Sequence, residues 1–261
     1  MQSAQTKNDE IGTRASRDGH EYHVAWAARV SLELLHPMAE LEAISLEGFS
    51  VEEANSFSKE AMDIADLVKY FGGGTVDEAK RIDVLQLKYS PTKEKEGLTA
   101  SDLSKTLQKF VQIKKDLKKR LGEERAAEVT FFEFVSNRPI GKNLEKAIVA
   151  LRTGQPAQGH IGTQAETLKT SIGLKDGHLK SFLERLSITG AGSSLPNLIS
   201  DVHRTIANWR GTSDLVARLG LRDICDLVRR KAGVLEAFNN IINDIDILGK
   251  LGVDDPNDIY P

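Results

Sequence analysis

The stretch Arg81–Ser90, with the sequence RIDVLQLKYS, constrains the fold of this chain more than any other segment. It is an apolar, β-branched stretch in which Gln86 and Lys88 stand two positions apart. Side chains alternate between the two faces of a strand, so these two polar groups point to the same side. The segment therefore predicts a β-strand, Ile82–Tyr89, with an amide and an ammonium group on one face.

Two strand-like segments precede this strand, and each of them carries a carboxylate. The first, Leu41–Glu47, ends in an acid, and the second, Asp63–Phe71, has acids near its start and closes on the turn sequence GGGT. Asp66 stands directly before LVKYFG and is preferred as the site residue. Asp63 is the alternative acid. It ranks below Asp66 because it lies three residues earlier, on the opposite face of a regular strand.

The order of the elements predicts an α/β fold with a mixed sheet flanked by helices. A helix over His20–Leu35 precedes the three strands. They are followed by a helix with Ser101 as its N-cap and Gly122 as its stop, a strand over Val129–Val135, and a helix that ends at Gly154. A strand–helix–strand passage requires a crossover, which predicts one parallel pair within the sheet.

The remainder of the chain predicts a mostly helical module. It follows a loop rich in Gly, Gln and Ala, Thr153–Thr163. The predicted helices are Leu174–Ile188, Leu195–Trp209, Thr212–Gly220 and Leu221–Gly233. The predicted domains are a flexible leader (1–18), an α/β domain (19–153), a helical accessory module (164–250) and a tail or linker (251–261).

Composition excludes several classes of protein. The chain has 261 residues, 40% of them hydrophobic, and no apolar run approaches the roughly 20 residues that a membrane span needs. The N-terminus is polar, unlike a secretory signal, and Cys225 is the one cysteine, so an intrachain disulfide framework is excluded. These features predict a cytoplasmic protein without a membrane role. The net charge of −3 neither favours nor excludes a nucleic-acid partner.

Carboxylates on two strands and Gln-x-Lys on a third can support phosphodiester hydrolysis. That reaction needs a metal ion to polarise the phosphoryl oxygens, an activated water and stabilisation of the developing charge. Mg²⁺ prefers oxygen ligands, so Asp66 and Glu47, with the carbonyl of Gln86, are the predicted ligands, and Mn²⁺ is the alternative ion. Lys88 is predicted to orient the water or stabilise the transition state. The four residues are the predicted catalytic set.

These residues resemble the pattern of the PD-(D/E)xK nuclease superfamily, in which an Asp opens the second strand and (D/E/Q)xK lies on the third. Further segments resemble the N-terminal nuclease domains of antiphage proteins, among them the CBASS-associated double-stranded DNA endonuclease and effectors fused to STAND-type NTPases. The matching segments are RDGHEYHVA (Arg17–Ala25), VSNRPI (Val135–Ile140) and FLERLSI…LISDVHRTI in the helical part. This chain has His23 where that family usually has Gln.

The resemblance implies a restriction-endonuclease-like sheet and metal-dependent cleavage of double-stranded DNA. It also implies a homo-oligomer regulated through a fused or associated NTPase or sensor region outside these residues. The chain would then be the nuclease part of a longer antiphage effector.

Four basic or polar residues are candidate DNA contacts: Lys105, Lys109, Arg138 and His23. The two lysines lie on a predicted amphipathic helix, for which a solvated face is the competing interpretation. Arg138 can equally anchor the loop after the fourth strand. Two rival functions remain at this point, an inert nucleic-acid-binding or oligomerisation domain that keeps the nuclease fold, and a helical interaction adaptor.

Overall fold

The structure is a computed structural model. It describes the backbone of residues 2–50, 52–58, 62, 65–209, 212–232, 240–255 and 257, and the side chains of these ranges from residue 17 onward. The strands are β1 (Leu41–Leu46), β2 (Leu67–Phe71), β3 (Arg81–Lys88), β4 (Thr130–Ser136), β5 (Leu186–Thr189) and β6 (Ile241–Ile242). The helices are α1 (Gln2–Glu33), α2 (Ala100–Leu121), α3 (Glu123–Val129), α4 (Lys142–Thr153), α5 (Gly159–Ile172), α6 (Asp176–Glu184), α7 (Leu195–Ala207), α8 (Asp214–Ala232) and α9 (Asp244–Leu251).

The six strands form one mixed sheet in the order β5-β4-β3-β2-β1-β6. Neighbours are antiparallel from β6 to β3, and the pairs β3–β4 and β4–β5 are parallel. The connection from β3 to β4 runs through α2 and α3, which is the crossover that a parallel pair requires. The predicted α/β fold, a mixed sheet flanked by helices with a mostly helical second part, is confirmed.

Helices cover both faces of the sheet, and the alternation along β3 determines which side chain faces which layer. Ile82 and Val84 pack in the apolar cluster with α2, α4, α5 and α6. Leu85 and Leu87 pack in the cluster on the other face, with α1, α7, α8 and α9. Gln86 follows Ile82 and Val84 by even spacing, so it belongs to the α2 face.

Several predicted boundaries differ from the structure. Helix α1 begins at Gln2, so residues predicted as a leader are helical, because extending a helix adds one hydrogen bond for each residue that it fixes. Strand β2 begins at Leu67, one residue after Asp66. The N-cap of α2 is Thr99 and not Ser101, because the Thr99 amide donates to the Asp102 carboxylate at 2.8 Å.

The second half contributes more than helices. The predicted helix Leu174–Ile188 stops at Glu184, and the β-prone sequence LSIT after it pairs with β4 as β5. Part of the predicted loop Thr153–Thr163 belongs to α5. The single sheet therefore spans the predicted boundary between 19–153 and 164–250, since β5 and β6 both come from the later part.

Two predicted helices are one continuous helix, α8, which contains Gly220 in its interior. A Cβ atom at Gly220 would lie 3.2 Å from Leu251 Cδ2 of α9, so glycine is used there for close packing and not as a stop. Among the described residues, none of the helices combines the length and the apolar character that a membrane crossing would require.

Candidate active site

The register of the antiparallel strands brings three predicted site residues into one row. Leu46 of β1 pairs with Leu67 of β2, which pairs in turn with Leu85 of β3. Because the pairing is antiparallel, the next position across β1, β2 and β3 is occupied by Glu47, Asp66 and Gln86. The Glu47 amide donates to the Asp66 carbonyl oxygen at 3.0 Å, which fixes the two backbones side by side.

The Asp66 carboxylate lies at the centre of this row. Its Oδ2 accepts hydrogen bonds from the main-chain amide of Leu87, at 2.6 Å, and from Nε2 of Gln86. Only 10% of the side chain is exposed, and burial raises the pKa of Asp66 to about 7, against the lowering effects of the Leu87 amide and the Lys88 charge. A carboxyl group with this pKa changes its charge near neutrality.

Gln86 supplies a buried acceptor. The residue is 3% exposed, its Nε2 is directed to Asp66, and its Oε1 has no hydrogen-bond partner among the described residues. Buried amide oxygens are almost always satisfied, so an orphaned one calls for an explanation. A hard cation or its bound water would satisfy it.

Glu47 stands on a bend directly after β1. Its φ of 52° is unusual for a residue with a side chain, and Gly48 follows with a φ of 124°. A side chain would be strained at this φ, so the bend favours glycine at position 48. Glu47 is an exposed residue, yet protein around its carboxyl group raises its pKa, and the neighbouring Asp66 carboxylate raises it further.

His23 reaches the row from α1, on the opposite side of the sheet end. Its Nε2 lies 3.2 Å from the Leu87 carbonyl oxygen and 3.8 Å from Asp66 Oδ2. Burial lowers the pKa of the imidazole, so the neutral form, donating to the Leu87 carbonyl, is favoured at neutral pH. His23 is thus a neighbour of the Asp66 carboxylate.

Two lysines lie within electrostatic range of Asp66, and a third lies one turn from one of them on α2. Lys88 is exposed at the end of β3, and Lys109 of α2 is half-buried. Burial dominates the pKa of Asp66, but the charges of Lys88 and Lys109 both act to lower it, which places them within electrostatic range. Lys105 is exposed one turn earlier on α2.

Arg138 is not part of this group. It is 9% exposed, and its guanidinium donates to the Asp102 carboxylate at 3.0 Å and to the carbonyl oxygens of Glu96 and Gly97 at 3.1 and 3.2 Å. This geometry is that of an anchor for the loop after β4. Asp63, the alternative acid, lies outside the described residues.

The donor set fits a hard, oxygen-seeking ion better than a zinc-type ion. Within the described part of the chain, no three His, Cys, Asp and Glu side chains gather closely enough to hold a metal. Mg²⁺ usually keeps several waters and needs only one or two carboxylates, so two acids and an amide oxygen are a sufficient set. The orphaned Gln86 Oε1 beside Asp66 is the observation that supports this fit.

Two participants in this geometry carried no sequence signal. The Leu87 amide is a backbone group, so any residue type would supply it. Asn240 donates to the carbonyl oxygens on either side of the Glu47–Gly48 bend, and it is 194 positions from Leu46. Contacts of this separation are determined by tertiary packing.

Comparison with known proteins adds a fold likeness. The chain matches no protein-family model and no curated protein. It is similar to the Acinetobacter baumannii Cap4 SAVED/CARF-domain containing receptor with the cyclic trinucleotide 2'3'3'-cAAA, with a TM-score of 0.50, 15% identity, and coverage of 89% of this chain and 44% of that one. The Moraxella osloensis Cap4 SAVED/CARF-domain containing receptor matches with a TM-score of 0.49 and 14% identity, over 89% of this chain and 46% of that one. The chain thus spans less than half the length of these receptors, and at 15% identity the likeness to the Acinetobacter receptor shows the fold alone.

Proposed function

We propose that this chain is a metal-dependent endonuclease that cleaves double-stranded DNA. The observation that carries the proposal is the row of Glu47, Asp66 and Gln86, in which a buried amide oxygen lacks a partner among the described residues beside a carboxyl group of raised pKa. Lys88 stands at the open end of the same strand face. Carboxylate, carboxylate, amide and ammonium are the groups that metal-assisted phosphodiester hydrolysis needs.

Each residue has a role in the proposed reaction. Asp66, Glu47 and the Gln86 carbonyl would hold Mg²⁺, which when bound polarises a phosphoryl oxygen and acidifies water. Because the pKa of Asp66 is raised to about 7, its carboxyl group carries a proton in part of the population near neutral pH, and it would have to lose that proton to hold the ion. The Lys88 ammonium stabilises the charge that develops on the phosphoryl oxygens.

The substrate would approach over the α2 side of the site. Lys105 and Lys109 lie one turn apart on α2, and the charge of Lys109, like that of Lys88, acts on the pKa of Asp66. Backbone phosphates are the part of DNA that lysines contact without regard to sequence, so these residues would position the duplex. Sequence preference would have to come from other contacts.

The biological context that we propose is antiphage defence. The motif resemblance to nuclease domains of antiphage effectors supports it, and the fold shared with the Acinetobacter Cap4 receptor is compatible with it. That receptor was determined with a cyclic trinucleotide. By analogy, an activating signal would act through a sensor or NTPase region outside this chain and through oligomerisation.

Plasmid cleavage tests the proposal. Supercoiled DNA is incubated with the chain in Mg²⁺, in Mn²⁺ and in EDTA, over a range of protein concentrations, because an effector separated from its activator needs mass action to assemble. We expect nicking or linearisation with metal and none with EDTA. Lys88→Ala should reduce the rate by about 100-fold or more, the range found when one transition-state donor is removed.

The control is Lys180→Ala. Lys180 is an exposed lysine on α6, which leads into the far end of the parallel strands. The Lys180→Ala variant should cleave DNA at the rate of the wild type. Cleavage that survives Lys88→Ala would refute the assigned site. DNA binding without cleavage at any concentration, unchanged in Lys88→Ala, would favour the inert nucleic-acid-binding alternative.

A further inference from the structure

We propose that Asn240 is a positioning residue that holds Glu47 in its ligand geometry. The inference rests on the proposed function for the role of Glu47, but its structural basis is independent of metal binding. Asn240 immediately precedes β6, the two-residue strand that pairs with β1. Asn240 therefore belongs to a segment that is far along the chain from Glu47 and is brought beside it by the pairing of β6 with β1.

The Asn240 side chain bridges the two ends of the bend that carries Glu47. Its Nδ2 donates to the Leu46 carbonyl oxygen at 2.7 Å and to the Phe49 carbonyl oxygen at 3.1 Å. The main chain repeats the contact, because the Leu46 amide donates to the Asn240 carbonyl oxygen at 3.2 Å. Leu46 and Phe49 flank Glu47 and Gly48, so one amide group closes the bend.

The bend needs such support because its conformation is unfavourable by itself. Glu47 has a φ of 52°, in the left-handed region that residues with a Cβ rarely adopt. Residues persist in such conformations only when their surroundings determine them. Asn240 is 6% exposed, so water cannot replace its two donors easily. Ser45 contributes a further tie, since its Oγ donates to the Gly48 carbonyl oxygen at 2.7 Å.

The position of the Glu47 carboxyl group follows from the backbone that these donors hold. If the bend relaxes to an ordinary right-handed conformation, the side chain turns away from the row with Asp66. A group that orients a ligand typically changes metal affinity by about 10–100-fold when it is removed. Asn240 would act through Glu47 and would not touch the ion.

The test combines calorimetry with a double-mutant cycle on the full chain. Mn²⁺ is titrated into wild type, Asn240→Ala, Glu47→Gln and the double variant. We expect Asn240→Ala to weaken Mn²⁺ binding by about 10–100-fold, and to add little to the loss in Glu47→Gln, because both substitutions remove the same ligand. An equal loss in both backgrounds, or unchanged affinity in Asn240→Ala, would overturn the proposal.

Asn243→Ala is the matched control for stability. Asn243 lies three residues later and caps α9 by accepting from the Asp246 amide at 3.0 Å. It should lower the melting temperature without changing Mn²⁺ affinity. If Asn240→Ala does not fold, Asn240→Ser replaces it, since a hydroxyl group offers one donor and cannot serve both carbonyl oxygens, with the same expected dependence on Glu47.

Hydrogen exchange separates failure of this inference from failure of the proposed function. In metal-free buffer, Asn240→Ala should accelerate exchange of the amides of Leu46 and Glu47, which donate to Asn240 and to Asp66. Faster exchange in Asn240→Ala, combined with a wild-type chain that binds no Mn²⁺, would retain the positioning role and reject the nuclease. Unchanged exchange at the bend would reject the positioning role, whatever the chain does with metal.

Discussion

The main-chain amide of Leu87 donates a 2.6 Å hydrogen bond to Oδ2 of Asp66, and this contact joins β3 to the carboxyl group that precedes β2. A charge-assisted bond of this length favours the ionised form, whereas burial of the same group favours the neutral form. Burial is the larger effect, so the pKa of Asp66 is about 7 although the Leu87 amide orients the carboxyl group and lowers its pKa. The carboxyl group is thus held in place before any ion binds.

Asp66 should make the stability of the metal-free chain fall as the pH rises. The folded chain keeps the Asp66 proton up to about pH 7, whereas the unfolded chain loses it near the ordinary value of 3.8. The folded state therefore binds more protons across this window, and the free energy of unfolding decreases until the pH passes the folded pKa.

Urea unfolding in EDTA at pH 5 and pH 8 measures this effect. The decrease for the wild type should exceed that for Asp66→Asn by on the order of 2–3 kcal/mol, since one pKa unit corresponds to about 1.4 kcal/mol. Parallel pH profiles for the two proteins would contradict the raised pKa.

Arg138→Ala should destabilise the fold and leave DNA contacts unchanged. The substitution leaves the carbonyl oxygens of Glu96 and Gly97 without their donor and removes the ion pair with Asp102. We expect a loss of about 1–3 kcal/mol in the free energy of unfolding, measured by urea denaturation. Lys105 is exposed, so the free energy of unfolding of Lys105→Ala should stay within about 0.5 kcal/mol of the wild-type value.

Lys105 and Lys109 should contribute to the salt dependence of DNA binding. A lysine that neutralises a phosphate releases a counterion, so its removal should lower the slope of log affinity against log salt by about one. Fluorescence anisotropy with a short duplex over a salt series provides this slope for each alanine variant. A slope equal to that of Lys180→Ala would assign both lysines to an ordinary solvated helix face.

Cys225 should be a slow-reacting thiol in the folded chain. Burial raises the pKa of its thiol to about 11, and the thiolate is the reactive form. At pH 8 we expect alkylation by iodoacetamide to be roughly 100-fold slower than in concentrated urea, from the thiolate fraction alone. As the one cysteine of the chain, it gives an unambiguous mass shift. Equal rates in both conditions would mean that the thiol is not shielded.

Local pattern was sufficient for the elements with strong alternation or clear ends. The residue order in RIDVLQLKYS determined that Gln86 and Lys88 share a face of β3, because strand side chains alternate whatever the partners are. Gly122 and Gly154 marked the ends of α2 and α4, where they cap the last turns. The crossover between β3 and β4 followed from element order, and the pair is parallel.

Pattern failed where a partner far along the chain decided the conformation. Leu186–Thr189 continues an apparently helical run and becomes a strand because β4 offers a free edge beside it. Ile241–Ile242 has no strand signal of useful length, yet it pairs with β1. Gly220 resembles a helix stop, but the packing of Leu251 against it makes a glycine useful inside α8.

The same division applies to the candidate site. The sequence alone determined which residue types were available, the acids Glu47 and Asp66 and the pair Gln86 and Lys88, since these follow from local spacing. Only the tertiary structure decided that Glu47, Asp66 and Gln86 share one row, that burial shifts the Asp66 pKa, and that Asn240 closes the bend at Glu47. Register, burial and long-range hydrogen bonds depend on how separate segments pack, and no local pattern encodes that packing.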